Sequence, residues 1–310
     1  MPEWVVEQGI GETRYALIDG DEILETRIEL DGQIRAGSII AARLKQTARP
    51  VVAIAGDTEF LLPRGAPGVT EGAALNIEIS REAIPGGEPW KRPLAKVTDA
   101  AVRDAPAIEG RPAARDEFSA AGWDDVIEQA RSGTVQFAGG ELRLSPTPAM
   151  TLIDVDGYLA PDELAVLGAA EAAKAIRRLD IGGSIGIDLP TAGSKAARQA
   201  AAAAIDQYLP QPFERTAVNG FGFVQIVRPR TKASLVELAQ DRPAFEARAL
   251  LRRAAFEAAG AKRLVTHPAV IAILQSHADW LDALGRQLGG AIGLRAEASL
   301  AMSGGYAEQP

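Results

Sequence analysis

Three aspartates offer the clearest chemistry in this sequence. Asp154 and Asp156 close the apolar run TLIDVDG, and Asp188 closes GGSIGIDLP. Each run reads as a buried strand, and a long helical segment joins them, so the two strands should be neighbours or near-neighbours in a parallel or mixed sheet. In sheets of that kind the functional crevice lies at the carboxyl ends of the strands. Carboxylates brought together there repel and raise each other's pKa unless a cation sits between them. A hydrated Mg²⁺ needs only one or two carboxylates, with water and phosphate oxygens filling the remaining positions. Such an ion activates water and neutralises charge developing on a phosphodiester. The plainer alternative is that strand-end aspartates cap loops or helices.

Basic residues flank the same region: Arg177, Arg178, Lys195, Arg198, Arg228 and Arg230. Arginine grips phosphate with two parallel hydrogen bonds, so these residues are candidates for holding a nucleic-acid backbone. The alternative for Arg177 and Arg178 is complementation of a helix end. Gly182, Ser184 and Gly186 fit the G-x-S-x-G pattern of esterases. That pattern needs a strand before the serine and a helix after it, whereas here a helix precedes and a strand follows. His267 and His277 read as structural, the first before a proline at a helix start and the second beside Trp280. Trp4 and Trp123 read as core residues of the amino-terminal region.

Composition removes other chemistries. The 310 residues contain no cysteine and two histidines. Thiolate catalysis, disulfides and cysteine zinc sites are excluded, so any metal is a hard cation such as Mg²⁺ or Mn²⁺, with no zinc. The net charge of −8 argues against simple coating of nucleic acid. Its acid excess lies in the first half, and the half with the aspartates is near neutral. No run of about 18 apolar residues suggests a membrane span. The start, MPEWVVEQGIGETRY, does not read as a signal peptide, which makes the cytoplasm the expected location.

The elements that must position the aspartates follow from pattern. WVVEQ, TRYALID and EILETRIEL form a meander. SIIAARLKQ, VVAIAG, TEFLLP and ALNIEIS are short strands between glycines and prolines, as in a small OB-type barrel over 36–98. Residues 99–119, rich in Ala, Pro and charge, read as a loose linker. A short helix (GWDDVIEQARSG) and a hairpin turning at the GG of VQFAGGELRLS lead to the first aspartate strand. DELAVLGAAEAAKAIRRLD is a helix with acids in its first turn and arginines in its last. SKAARQAAAAAIDQYL is a second, with Ser194 as N-cap, and GFGFVQIVRPR is a third strand. The last 70 residues suggest helices near 244–259 and 268–288 and a strand in AIGLRAEASL. The second helix carries an apolar stripe that suits its own domain or a homodimer.

Several segments, in order, resemble the ribonuclease E/G family. GETRYALIDGDEILETRIE is similar to that family's opening strands. AGSIIAARL through EISREAIPGGEPWKRP resembles its inserted RNA-binding barrel. WDDVIEQARSGTVQFAGGELRLSPTPAMTLIDVDG resembles the passage into the catalytic part, RRLDIGGSIGIDL its second aspartate strand, and FGFVQIVRPR the strand after it. The resemblance implies a mixed α/β (α+β) architecture. Residues 1–35 plus 120–149 would form an RNase H-like subdomain, interrupted by the OB barrel at 36–98 and the linker at 99–119. A DNase I-like catalytic subdomain would span 150–240, and a small domain 241–310. It implies Asp154 and Asp188 as the metal-binding pair, with Asp156 where the family has an asparagine. Arg228, Arg230, Lys195, Arg198 and Arg178 become candidate RNA contacts. The implied reaction is metal-dependent cleavage of single-stranded RNA to 5′-phosphate and 3′-hydroxyl ends. The alternative is an RNA-binding protein of the same fold with weak or lost cleavage. Three departures mark a short form. VELAQDRPAFEA stands where the family has its zinc-linking cysteines, so a homodimer would form without that link. Only about 25 residues follow the barrel where a 5′-phosphate sensor is expected. Phe60 and Trp90 are the barrel's only aromatics.

Overall fold

The computed structural model describes residues 1–85 and 91–310; Trp90 and the rest of the segment 86–90 lie outside the described residues. The chain builds a mixed α+β architecture of three sheets and a closed barrel. Apolar alternation in the first 30 residues produces β1 (Glu3–Gln8), β2 (Glu12–Asp19) and β3 (Glu22–Leu30), an antiparallel meander. The barrel follows with β4 (Ile39–Gln46), β5 (Val52–Ala55), β6 (Thr58–Leu61), β7 (Ala74–Arg81) and β8 (Leu94–Thr98). Its strands close in the order β4-β5-β6-β8-β7, antiparallel except where β6 meets β8. Leu44, Ala53, Phe60, Ile77 and Ile79 fill its interior as a core of its own.

The segment at 99–119 is not a loose linker. Arg103 exchanges two backbone hydrogen bonds with Ile39, and Arg35 donates to the Ala105 carbonyl. β9 (Arg111–Pro112) then pairs with β1. The open edge of β1 explains this: its unpaired backbone groups recruit the crossing chain. Composition alone hides such pairing, because the new contacts are made by backbone.

α1 (Glu117–Ala120) and α2 (Trp123–Ser132) lead to the central sheet. That sheet contains β10 (Thr134–Phe137), β11 (Gly140–Pro146), β12 (Thr151–Gly157), β13 (Gly183–Asp188), β14 (Glu214–Arg215) and β15 (Phe223–Arg228), in the order β10-β11-β12-β13-β15-β14. A boundary at 149/150 therefore cuts through one sheet, since β11 and β12 pair along their whole length. The meander, α2 and the central sheet also share one apolar core.

Among the described strands of the central sheet only β12 and β13 pair in parallel; β13 and β15 are antiparallel. α3 (Pro161–Arg178) and α4 (Lys195–Tyr208) join the odd-numbered side chains of β12 and β13 (Ile153, Val155, Ile185 and Ile187) in that core. Alanines dominate the buried faces of both helices, and short side chains permit close approach. Gly168 lets α3 approach β12: a Cβ there would lie 2.3 Å from Cγ1 of Val155. The even-numbered positions of β12 beyond the helix-covered face are exposed. The sheet thus has one packed face and one open face.

After α5 (Leu235–Leu238) and α6 (Arg242–Ala255), the carboxy-terminal region forms a three-stranded sheet. β16 (Lys262–Thr266) pairs in parallel with β17 (Ile292–Ala296) and antiparallel with β18 (Tyr306–Glu308). The five-residue run KRLVT is a strand that the sequence pattern did not reveal, because it is too short to show a period. The helix expected over 268–288 is two helices, α7 (Pro268–Ser276) and α8 (Ala278–Leu288). The break falls at His277, whose Nδ1 lies 3.0 Å from the Ile273 carbonyl and whose ring stacks on Trp280. Val270, Leu274, Leu284 and Leu288 of the apolar stripe are buried in this region's own core. Among the described residues no helix is long and apolar enough to cross a membrane.

Candidate active site

Asp154 and Asp188 are direct register partners across the parallel β12–β13 pair. Adjacent strands lie roughly 4.8 Å apart, so both carboxylates leave the open face side by side. Asp156 emerges two residues further along the same face, opposite Glu141 of β11. The pair therefore projects from an open sheet surface near the strand ends and not into a crevice between covered faces, as the doubly wound pattern would have it.

Arg143 stands opposite Asp154 on β11 and donates from Nε to Glu141 at 2.8 Å. Sequence reading missed both residues. Their signal was present in the GG turn and the alternation of GELRLS, which together fix the hairpin register. The electrostatics agree with the geometry. Partial burial, then the charges of Asp156 and Asp188, push the Asp154 carboxyl above its ordinary range, while Arg143 pulls it down. Arg143 is held further above its usual value by its hydrogen bond to Glu141, aided by the charges of Glu141, Asp156 and Asp154.

The loop from Asp188 to α4 is tied down by Asp162, at the start of α3. Its carboxylate accepts from the Gly193 amide at 2.8 Å and from the Ser194 hydroxyl at 2.8 Å. Ser194 in turn caps α4 by accepting from the Ala197 amide at 3.0 Å. Lys195 and Arg198 sit in the first turns of α4, at the Asp188 end of the sheet. They line a groove of about 540 Å³ that also contains Arg215.

The other basic candidates are elsewhere. β15 runs against β13, so Arg228 pairs with Gly183, five residues from Asp188 along the strand. Its Nη1 donates to the Ile181 carbonyl, and burial pushes its pKa down. Arg230 is ion-paired with Glu237. Arg178, at the far end of α3, is half-buried and donates to Gln129 at 3.0 Å. These three arginines do not join the aspartates, because strand and helix directions carry them to the opposite end of the sheet. Arg177 is there too, paired with Glu25 at 3.3 Å.

Ser184 lies mid-strand and accepts from Gln225 at 3.2 Å. Both histidines are in the carboxy-terminal region, where His267 accepts from the Ala269 amide as a helix cap. Ser184 thus lacks the base that a nucleophile needs. Trp123 is buried as expected, but Trp4 is only half-buried, with Arg27 over its ring.

Among the described residues no three Asp, Glu or His side chains cluster closely enough to cage a metal. The donor set is two hard carboxylates on an open face. It fits a hydrated Mg²⁺ or Mn²⁺ that takes its remaining ligands from water and phosphate, and it does not fit zinc, which favours nitrogen and sulfur. No protein-family model matches the chain, and no curated protein is significantly similar to it.

Proposed function

We propose that this protein is a metal-dependent endoribonuclease of the ribonuclease E/G kind. It cleaves single-stranded RNA to 5′-phosphate and 3′-hydroxyl ends, as part of RNA processing or decay in the cytoplasm. One observation carries the reading: Asp154 and Asp188, chosen by sequence as a metal pair, are opposite one another in register on an exposed face. Like charges in that position are costly unless a cation joins them.

A magnesium ion bound there would supply an activated water and neutralise charge on the phosphodiester. The chain's own residues do the rest. Asp154 and Asp188 provide the anionic seat, and Asp156 adds negative potential on the same face. Arg143 offers a cation beside the carboxylates, suited to a phosphate oxygen. Lys195 and Arg198 extend positive charge along the strand-end loop. The finer architecture belongs to the same proposal: the meander with α2 as the RNase H-like part, the barrel as an OB fold, and β10–β15 with α3 and α4 as the DNase I-like part.

A second reading, RNA binding with weak cleavage, draws on the barrel: Phe60, its only aromatic among the described residues, is fully buried. Cleavage of a labelled single-stranded RNA separates the two. The nuclease requires Mg²⁺ or Mn²⁺ and loses activity on the order of 10³-fold in Asp154→Asn or Asp188→Asn, if each ligand is worth several kcal/mol. Metal-independent cleavage, or activity indifferent to both substitutions, refutes it.

A further inference from the structure

Nine large hydrophobic side chains are exposed among the described residues, and four of them (Leu152, Tyr158, Phe221 and Val227) belong to the open sheet face or its rim. Single exposed apolar residues need no explanation, but a contiguous group marks a contact surface. Leu152 shares the face of Asp154, two residues away, and Val227 pairs with Ser184 on the same side. Between them the ring of Phe223 lies over Gly186, where a Cβ would come 2.7 Å from the ring and 3.0 Å from Leu152. The floor beside the acid pair is therefore apolar.

Two aromatic rings rise from its rim. Tyr158 follows the last residue of β12 and is 84% exposed; Phe221 precedes β15 and is 82% exposed. Both lie past the strand ends, beyond the carboxylates: Tyr158 continues the line of β12 and Phe221 that of β15. Tyr158 lies two residues beyond Asp156, and its amide donates to Gly139 at 3.1 Å. Phe221 lies beside the end of β13, where the Leu189 amide donates to Gly222 and Phe223 pairs with Asp188. β13 alone separates their strands, a lateral spacing of roughly 10 Å between the two backbone lines.

Phe221 is held in solvent by its backbone. Asn219 Oδ1 accepts from the amides of Phe221 at 2.9 Å and Phe223 at 3.1 Å, and Thr191 donates to the Phe221 carbonyl. A turn fixed this firmly around an exposed phenyl ring pre-organises it for a flat partner. Lys195 and Arg198 of the groove next to it supply positive charge for a phosphate chain, while Arg215 there is paired with Asp206. The barrel cannot offer its buried Phe60 for this purpose.

We infer that Phe221 and Tyr158 are base-stacking platforms beyond the strand ends beside the Asp154–Asp188 pair, holding two unpaired bases of a single-stranded RNA so that the phosphate between them lies within reach of a cation held by the carboxylates. This rests on the nuclease reading for its geometry. Stacking requires bases free of a helix, so it selects single strands without reading sequence.

The test is binding of a fluorescein-labelled single-stranded RNA, followed by anisotropy in EDTA so that no cleavage intervenes. Removing one stacking ring costs about 1–3 kcal/mol, so Phe221→Ala and Tyr158→Ala should each weaken binding about 5- to 150-fold. Phe221→Trp and Tyr158→Trp should retain it. An RNA carrying abasic sites should bind wild type and the alanine variants alike. Lys195→Ala should instead reduce the salt dependence. Alanine variants that bind as tightly as wild type overturn the inference, as does a wild type that binds duplex and single strand equally or binds neither. The two readings fail separately. Weakened binding in Phe221→Ala without metal-dependent cleavage in wild type removes the nuclease and leaves the platforms. Metal-dependent cleavage with unaltered binding in both alanine variants does the reverse.

Discussion

Asp154 has the most to lose from its position. Its carboxyl titrates above the ordinary range because it is partly desolvated and faces Asp156 and Asp188. The folded protein therefore binds this proton more tightly than the unfolded chain does. The linked stability is present at acid pH and is lost as pH rises through the raised folded value. At neutral pH without metal the residue is thus a liability, and a bound cation relieves it. Asp154→Asn should melt higher than wild type near pH 7 in EDTA, and Mg²⁺ should raise the melting temperature of wild type but not of the variant. Thermal scans at pH 4 and pH 7, with and without Mg²⁺, test this; a variant less stable than wild type in EDTA contradicts the repulsion. The pair was legible in the sequence because two apolar strands ended in acids and a helix joined them. Arg143 was not, because its place opposite Asp154 depends on hairpin register. Arg228 and Arg230 misled for a related reason: their place in the third strand's run says nothing about which end of the sheet they occupy.

Elements position the pair through two helices that begin where the aspartate strands end. Their boundaries were readable, since Pro161, the acids after it and the two terminal arginines mark α3, and Ser194 marks α4. What pattern did not disclose is that Asp162 of the first helix secures the cap of the second, through Gly193 and Ser194. Ser194→Ala deletes the capping bond to Ala197 and one partner of Asp162 together. The expected cost is about 1 kcal/mol, read from the urea midpoint, with weaker Mg²⁺ binding because the loop after Asp188 loses its anchor. Full stability with unchanged metal affinity places that loop outside the site. The central sheet was recognised as strand–helix–strand, yet its single covered face was not foreseen. Deciding that requires knowing that β15 returns antiparallel, leaving the even-numbered side chains to solvent.

At the scale of the whole molecule, the first strands and the carboxy-terminal region are joined by buried charge. Glu12 accepts from Arg14 at 2.6 Å and from Arg248 of α6 at 2.9 Å, while Glu7 accepts from Arg14 at 2.8 Å and from Arg252 of α6 at 2.9 Å. Arg14, Arg248, Arg252 and Glu12 are all nearly sealed from solvent. Trp280 of α8 packs against Gly11 at the β1–β2 turn, where a Cβ would come within 2.5 Å of its ring. None of this was visible along a chain in which Glu12 and Arg248 are 236 residues apart. A buried pair contributes little over a well-packed apolar replacement, but removing one partner leaves the other charge stranded. Glu12→Gln keeps the shape but strands the Arg248 guanidinium and leaves Arg14 with Glu7 alone, so it should cost about 3–5 kcal/mol. Glu308→Gln, which breaks the exposed pairs to Arg263 and Arg295, should cost less than about 1 kcal/mol. Urea unfolding of the two variants makes the comparison direct. Limited proteolysis should then cut Glu12→Gln first near α6, whose docking on the meander depends on that carboxylate. Equal midpoints for the two variants would show that the buried network does not hold the ends of the molecule together.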